Sequence, residues 1–251
     1  MTDIILCGCN GKMGHAISTC VANRDDCRIV AGVDLNTDAK ADFPVYSDIG
    51  SIQETADVVI DFSNPAALNG LLLYCESKKL PLVLATTGFS SAQMEQIKTA
   101  STKIPLFFTF NMSLGINLLV SLSKKAAAVL DGAFDIEIIE KHHNQKLDAP
   151  SGTALMLAEA INQTLNDKMV YEYDRHSKRE KRPKNEIGIH SIRGGNIVGE
   201  HEVIFAGHDE VISLSHKATS KEVFAVGAVK AALYMNGKPA GLYDMNNVIS
   251  L

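Results

Sequence analysis

The chain has no tryptophan and only 6% aromatic residues, and no apolar run approaches the roughly 20 residues that span a bilayer. A membrane partner is therefore not expected. Basic charge is not in excess either: 24 Lys and Arg stand against 29 Asp and Glu, a net charge of −5, which argues against nucleic acid. The five cysteines, Cys7, Cys9, Cys20, Cys27 and Cys75, are odd in number and confined to the first third. They do not make a disulfide framework and fit a reducing compartment. Cys7-x-Cys9 lacks a second Cys or His pair at finger spacing, so no metal site is expected. The amino end, MTDIILCGC, has an acid at Asp3 and no basic stretch, so the reading is cytoplasmic without a signal peptide. What is there is a globular composition, 46% hydrophobic over 251 residues, enough for one large domain or two smaller ones.

The first 110 residues alternate short apolar runs with helical spacing. Runs at 4–7, 29–33, 58–62, 82–85 and 105–109 read as strands. Met13, Ala16, Ile17, Cys20 and Val21 follow the i, i+3, i+4, i+7, i+8 spacing of a half-buried helix. Near-continuous apolar strands separated by helices predict a parallel sheet covered on both faces. After about residue 113 the pattern changes. A largely apolar helix is expected over 114–130, then alternating strands at 134–141, 187–193, 201–205 and 211–217, and a helix over 221–235. Alternation predicts an antiparallel or mixed sheet with one face covered. Residues 174–185 form the single charge run, six Lys and Arg against two acids, read as a solvated loop. The fold class is α/β followed by α+β.

Gly8-Cys9-Asn10-Gly11-Lys12-Met13-Gly14 joins the first strand to the first helix. Glycines allow a tight turn there, and the exposed N–H groups and helix N-terminus suit a pyrophosphate. The spacing is G-x-x-G-x-x-G, a weak match alone. Its context strengthens it: Asp34 ends the second strand twenty residues after Gly14, where a carboxylate accepts hydrogen bonds from a ribose diol. A carboxylate there repels a 2′-phosphate, and Leu35 follows it rather than an arginine. NADH is therefore the expected cofactor, with NADPH tolerated. Cys9, beside the phosphate loop, is open to two readings: a thiol activated by the helix N-terminus, or inert packing.

The densest polar stretch is Glu140-Lys141-His142-His143-Asn144-Gln145-Lys146-Leu147-Asp148-Ala149-Pro150-Ser151-Gly152-Thr153. Counting by twos puts Glu140 and His142 on the face of Ile136 and Ile138, with His143 opposite. Ser151 or Thr153 can cap the helix that begins at this point, and glycine lets a ligand approach its N–H groups. A lysine, imidazoles and a helix N-terminus suit a small carboxylate-bearing molecule. On the residues alone, the chain reads as a nicotinamide-linked oxidoreductase with a small anionic substrate.

The segments CGCNGKMG, DFSNP, ATTGF, FNMSLGIN, DIEIIEKHHNQKLDAPSGTAL, RGGNIVGEH, SHKAT and GLYDM run from end to end of the chain. In that order they closely resemble the 4-hydroxy-tetrahydrodipicolinate (dihydrodipicolinate) reductases of the diaminopimelate route to lysine. The resemblance implies a Rossmann dinucleotide-binding domain, 1–113 and 222–251, and a mixed-sheet domain, 114–221, for substrate binding and homotetramer assembly. It implies that Gly8, Cys9, Asn10, Gly11, Lys12, Met13 and Asp34 hold the dinucleotide. Ala85, Thr86, Thr87, Thr109, Phe110, Asn111 and Met112 are expected near the nicotinamide. His143, Lys146, Gly152 and Thr153 are expected to grip a dicarboxylate, with His142 and Lys146 as an acid–base pair. Lys146 is assigned as donor and His142 as its partner, roles that sequence alone does not separate. Leu35 stands where some relatives carry arginine, and Ala85 where glycine is frequent. Two competing readings are a homoserine-type or aldehyde dehydrogenase, for which a catalytic cysteine is lacking, and a dinucleotide-sensing regulator, which leaves 146–153 without a purpose.

Overall fold

The continuous apolar run of β1, Thr2–Cys7, feeds both faces of the first layer: Ile4 and Leu6 pack into one core and Ile5 and Cys7 into another. The computed structural model describes residues 1–38 and 41–249. Helix α1 is Lys12–Ala22, and strands β2, Cys27–Val33, β3, Val45–Tyr46, and β4, Val58–Asp61, follow. Next come α2, Leu68–Lys78, β5, Leu82–Leu84, α3, Ser91–Ser101, and β6, Pro105–Phe108. The middle of the chain contains α4, Leu114–Leu130, β7, Asp135–His142, α5, Gly152–Thr164, β8, Val170–Glu172, and β9, Glu186–Arg193. Strands β10, Gly199–Ala206, and β11, Val211–Ala218, precede α6, Glu222–Met235, β12, Gly241–Tyr243, and α7, Met245–Ile249.

The chain divides into two units, Met1–Leu114 with the segment from Lys221 onward, and Gly115–Ser220. The first holds a seven-stranded sheet in the order β12-β6-β5-β4-β1-β2-β3, every pair parallel. One face packs on α1 and α6 and the other on α2 and α3, so the strands are apolar on both sides, as their sequences imply. The strand order reverses at β1, where doubly wound sheets open a crevice at the strand ends. The expected strand ends at Phe62, Ala85 and Thr109 lie in loops instead, because the chain leaves the sheet one residue earlier at each.

The second unit holds a mixed sheet, β11-β10-β7-β9-β8. Strand β7 runs parallel to β9 and antiparallel to β10, and β8 pairs parallel with β9. One face carries the core, including Ile116, Ile138, Leu157, Ile161, Ile187, Val203 and Phe205 from α4, α5 and the sheet. The 174–185 run is an exposed loop between β8 and β9, as its charge implies, with only Arg175 and Arg182 half-buried. Arg182 donates to the carboxylates of Asp135 and Glu137 and to the carbonyls of Ile136 and Glu186. Arg175 pairs with Glu186 and Lys178 with Glu172. Acids at the sheet end attract these cations, and the bonds from Arg182 to residues 135–137 join segments distant in sequence. Among the described residues, no helix is long and apolar enough to cross a membrane.

Candidate active site

In the first unit the loop after β1 turns at Gly8, whose φ of +77° lies in the left-handed region. A Cβ there would stand 2.5 Å from the Phe62 carbonyl oxygen, so the position is closed to other residues. Gly11 precedes α1 without a side-chain cap, and the first turn carries no acid, so its N–H groups are left to an anion. Asp34 follows β2 and its carboxylate accepts from the N–H groups of Asn10 (3.0 Å) and Asn36 (3.1 Å). A cavity of about 470 Å³ adjoins this corner, lined among others by Gly8, Gly11, Asp34, Leu35, Asp48, Phe62 and Asn64. These features fit a dinucleotide: bare helix amides for phosphate, a carboxylate for a diol, and space beside both.

A second cavity in this unit, about 320 Å³, is lined by Met13, Phe62, Ala85, Thr87, Thr109, Phe110, Asn111, Met112, Lys221 and Phe224. Six of the seven residues expected near the nicotinamide therefore converge there. Thr86 does not line it. Its hydroxyl donates to Asp61 at 2.7 Å, and Asp61 also accepts from the Ser63 hydroxyl and N–H. Burial pushes the Asp61 carboxyl up while these bonds pull it down, with a net rise. Asp61 thus ties together the loops after β4 and β5. Phe62, Lys221 and Phe224 were not among the expected binding residues; DFSNP was the sole signal for Phe62. Lys12 is exposed at the start of α1. Cys9 is 2% exposed, with its side chain in the core beneath Gly32. Burial pushes its thiol up to about 11, with Asp34 adding to the rise. Of the two readings open for Cys9, inert packing is the one its burial supports, because desolvation disfavours the thiolate.

In the second unit the polar stretch folds around Glu140, which is fully buried at the end of the Ile136–Ile138 row. The β7–β9 register sets Arg193 opposite His142, and the β7–β10 register sets His201 opposite Glu140. Arg193 donates to both Glu140 oxygens, at 2.6 and 2.8 Å, and to the Asp148 carbonyl at 2.7 Å. The Ser151 N–H donates to Glu140 at 3.1 Å, and His142 Nδ1 lies 2.5 Å from Glu140 Oε2. Burial raises the Glu140 carboxyl, but the hydrogen bonds from Arg193, His142 and Ser191 overcome it and hold the group at about 2. Ser151 caps α5 by accepting from the Ala154 N–H and shares a 3.0 Å hydrogen bond with His201 Nε2. Gly152 and Thr153 open that helix, and a Cβ at Gly152 would meet no protein atom. His143 lies just past the strand, its carbonyl accepting from the Lys146 N–H, and Lys146 Nζ is 2.9 Å from Asp148. Burial lowers His201 to about 4 and lowers His142 and His216 as well. Counting by twos singled out the face of Glu140; Arg193 and His201 open and close the segment RGGNIVGEH, but nothing in that segment pointed to Glu140. Among the described residues, no group of three or more His, Cys, Asp or Glu could hold a metal.

A doubly wound parallel sheet, a glycine turn opening a helix and an acid after β2 define a nicotinamide-dinucleotide-linked oxidoreductase. The comparisons narrow this. Residues 2–112 match the family description "Dihydrodipicolinate reductase, N-terminus", and residues 115–249 match "Dihydrodipicolinate reductase, C-terminus". The chain belongs to the dihydrodipicolinate reductase family. It is 54% identical over 249 residues to the 4-hydroxy-tetrahydrodipicolinate reductase of Caldanaerobacter subterraneus subsp. tengcongensis, covering 99% of this chain and 98% of that one. It is 53% identical over 250 residues to that of Clostridium tetani, covering 100% and 98%. Among solved structures, the dipicolinate-bound dihydrodipicolinate reductase from Paenisporosarcina sp. TG-14 matches with a TM-score of 0.83 and 26% identity, covering 99% of each chain. A myo-inositol dehydrogenase from Corynebacterium glutamicum ATCC 13032 matches with a TM-score of 0.62 and 12% identity, covering 100% of this chain and 93% of that one; this likeness shows the fold alone.

Proposed function

We propose that this protein reduces 4-hydroxy-tetrahydrodipicolinate to tetrahydrodipicolinate, with loss of water, in the diaminopimelate route to lysine. The observation that carries the reading is the buried Glu140–His142–Arg193 cluster, with Lys146 and the α5 N-terminus beside it, in a chain that shares the family's full length. The 4-hydroxyl leaves with one ring hydrogen as water, giving a conjugated imine dicarboxylate; one hydride and one proton then complete the reduction. The bound nicotinamide supplies the hydride to C4. His143, Lys146, Gly152 and Thr153 bind the substrate carboxylates: a cation and helix amides answer the two negative charges. Charge builds toward the ring nitrogen, where Lys146 stabilises it and delivers the proton, with His142 as its partner.

In the first unit, Gly8, Cys9, Asn10, Gly11 and Lys12 contribute to the dinucleotide's phosphate end and Asp34 takes the ribose diol. Met13, Ala85, Thr87, Thr109, Phe110, Asn111 and Met112 border the nicotinamide, and Thr86 supports them through Asp61. NADH is preferred and NADPH tolerated. Turnover is the test: aspartate semialdehyde, pyruvate and the upstream synthase are supplied, and loss of NADH absorbance is followed with and without the protein. Protein-dependent oxidation supports the reading, and its absence removes it.

A further inference from the structure

Glu140 has a full set of partners. Oε1 accepts from Arg193 Nη2 and the Ser151 N–H, and Oε2 faces Arg193 Nη1 and His142 Nδ1. Three fixed donors, two guanidinium N–H groups and the Ser151 amide, keep this buried group an ionised carboxylate, which accepts hydrogen bonds and has no proton to offer. The proton between Glu140 and His142 therefore sits on Nδ1. The charged and titratable groups around the ring come from every neighbouring element: Glu140 on its own strand, Lys146 and Asp148 on the following loop, Arg193 on β9, and His201 on β10. His216 lies opposite His201 on β11. The His201 ring stands edge-on to that of His142 at 5.2 Å. Arg193 already balances Glu140, and the ring is mostly buried, so a second cation at His142 is disfavoured. On the far side of the ring, a Cβ at Gly199 would lie 3.1 Å from Nε2, and glycine leaves that nitrogen clear of a side chain.

We propose that Glu140 and Arg193 are a positioning pair that holds His142 as the neutral imidazole protonated at Nδ1, so that Nε2 serves only as a hydrogen-bond acceptor and the proton for the product comes from Lys146. The inference rests on the reading of His142 and Lys146 as the acid–base pair. In that step the Lys146 Nζ–H bond breaks, the proton goes to the substrate, and solvent reprotonates the amine. The neighbouring imidazole accepts a hydrogen bond and gives up no proton. Arg193 also reaches the Asp148 carbonyl, so one guanidinium fixes both the histidine's carboxylate and the loop that carries Lys146.

The tautomer is read directly by two-bond ¹H–¹⁵N correlation on the full chain labelled with ¹⁵N-histidine, with His142 assigned by the peaks lost in His142→Asn. From pH 6.5 to 8 the unmodified chain should show His142 neutral with its proton on Nδ1. A proton on Nε2, or an imidazolium at pH 7, overturns the proposal without any variant having to fold. In Glu140→Gln the single oxygen stays with Arg193 and the amide NH₂ faces Nδ1. The proton should then move to Nε2, kcat should fall at least about tenfold with KM little changed, and NADH binding should be unaffected. Glu140→Asp keeps the charge and should restore the Nδ1 proton and part of kcat. A reversed tautomer with unchanged kcat overturns the proposal, as does lost activity with an unchanged tautomer. A chain with the Nδ1 proton but no turnover would instead remove the functional reading and leave the tautomer assignment standing.

Discussion

Lys146 sits in the loop after β7, its side chain 22% exposed and paired with Asp148. As the proposed proton donor and carboxylate ligand it should be nearly irreplaceable. Lys146→Ala should cost on the order of 10²–10⁴-fold in kcat/KM while the NADH dissociation constant stays nearly unchanged. Loss of both together in stopped-flow and fluorescence titrations would make the residue structural. Asp34 decides a different question. Its carboxylate is pinned by two backbone N–H groups, and the neighbouring Leu35 is 95% exposed with no charge to offer a 2′-phosphate. Leu35→Arg should raise the ratio of NADPH to NADH efficiency by about tenfold or more, because it puts a cation at a position whose native side chain is uncharged. Kinetics with both cofactors, before and after the substitution, measure it. An unmodified chain at least tenfold more efficient with NADPH contradicts the stated preference.

Helix α5 begins beside the Glu140 cluster, and Ser151 serves two elements at once: it caps that helix and bonds His201 on β10. Ser151→Ala removes both bonds. It should lower stability to urea by about 1–2 kcal/mol, the sum of a lost cap and a lost buried hydrogen bond. Helix α6 approaches the 109–112 segment at Gly227, where a Cβ would run into the Met112 carbonyl oxygen. Gly227→Ala should cost about 1–3 kcal/mol by overpacking and also weaken cofactor binding, since Met112 lines the second cavity. A variant with native urea midpoint and native NADH affinity would show that this helix gives way without consequence. The elements themselves were largely legible from hydrophobic period. Short pieces such as β3, β8 and β12 were not, since two or three residues carry no period of their own.

For the chain as a whole, stability should fall on acidification, and two groups set the sign. His201 is held at about 4 when folded against an ordinary 6.5, so the unfolded chain binds more protons between those values. Its contribution is intact above pH 6.5 and is lost as pH falls through the window from 6.5 to 4. Glu140 at about 2 adds a second window, from its ordinary 4.5 downward. Urea unfolding at pH 7 and pH 5 should differ by on the order of 2 kcal/mol from His201, and His201→Asn should flatten that difference. The proposed assembly is a homotetramer, to be checked by light scattering for a mass about four times 27.1 kDa. The net charge of −5 repels a dianion at long range, so the proposed substrate must be drawn locally, by Lys146 and the N–H groups that open α5. Substrate KM should therefore rise with ionic strength.

The sequence by itself determined the layers and the motifs, because both are local. Apolar period decides which face of a strand or helix is buried, and a glycine turn is set within a few residues. It therefore sufficed for the two sheets, the glycine turn between β1 and α1, and the family. Which distant residues meet was decided only in the tertiary structure. Arg193 and His201 reach Glu140 through strand registers spanning tens of residues, Thr86 turns toward Asp61, and Cys9 points into the core. Register is fixed by the packing of a whole sheet against its helices, and no short stretch of chain contains that information.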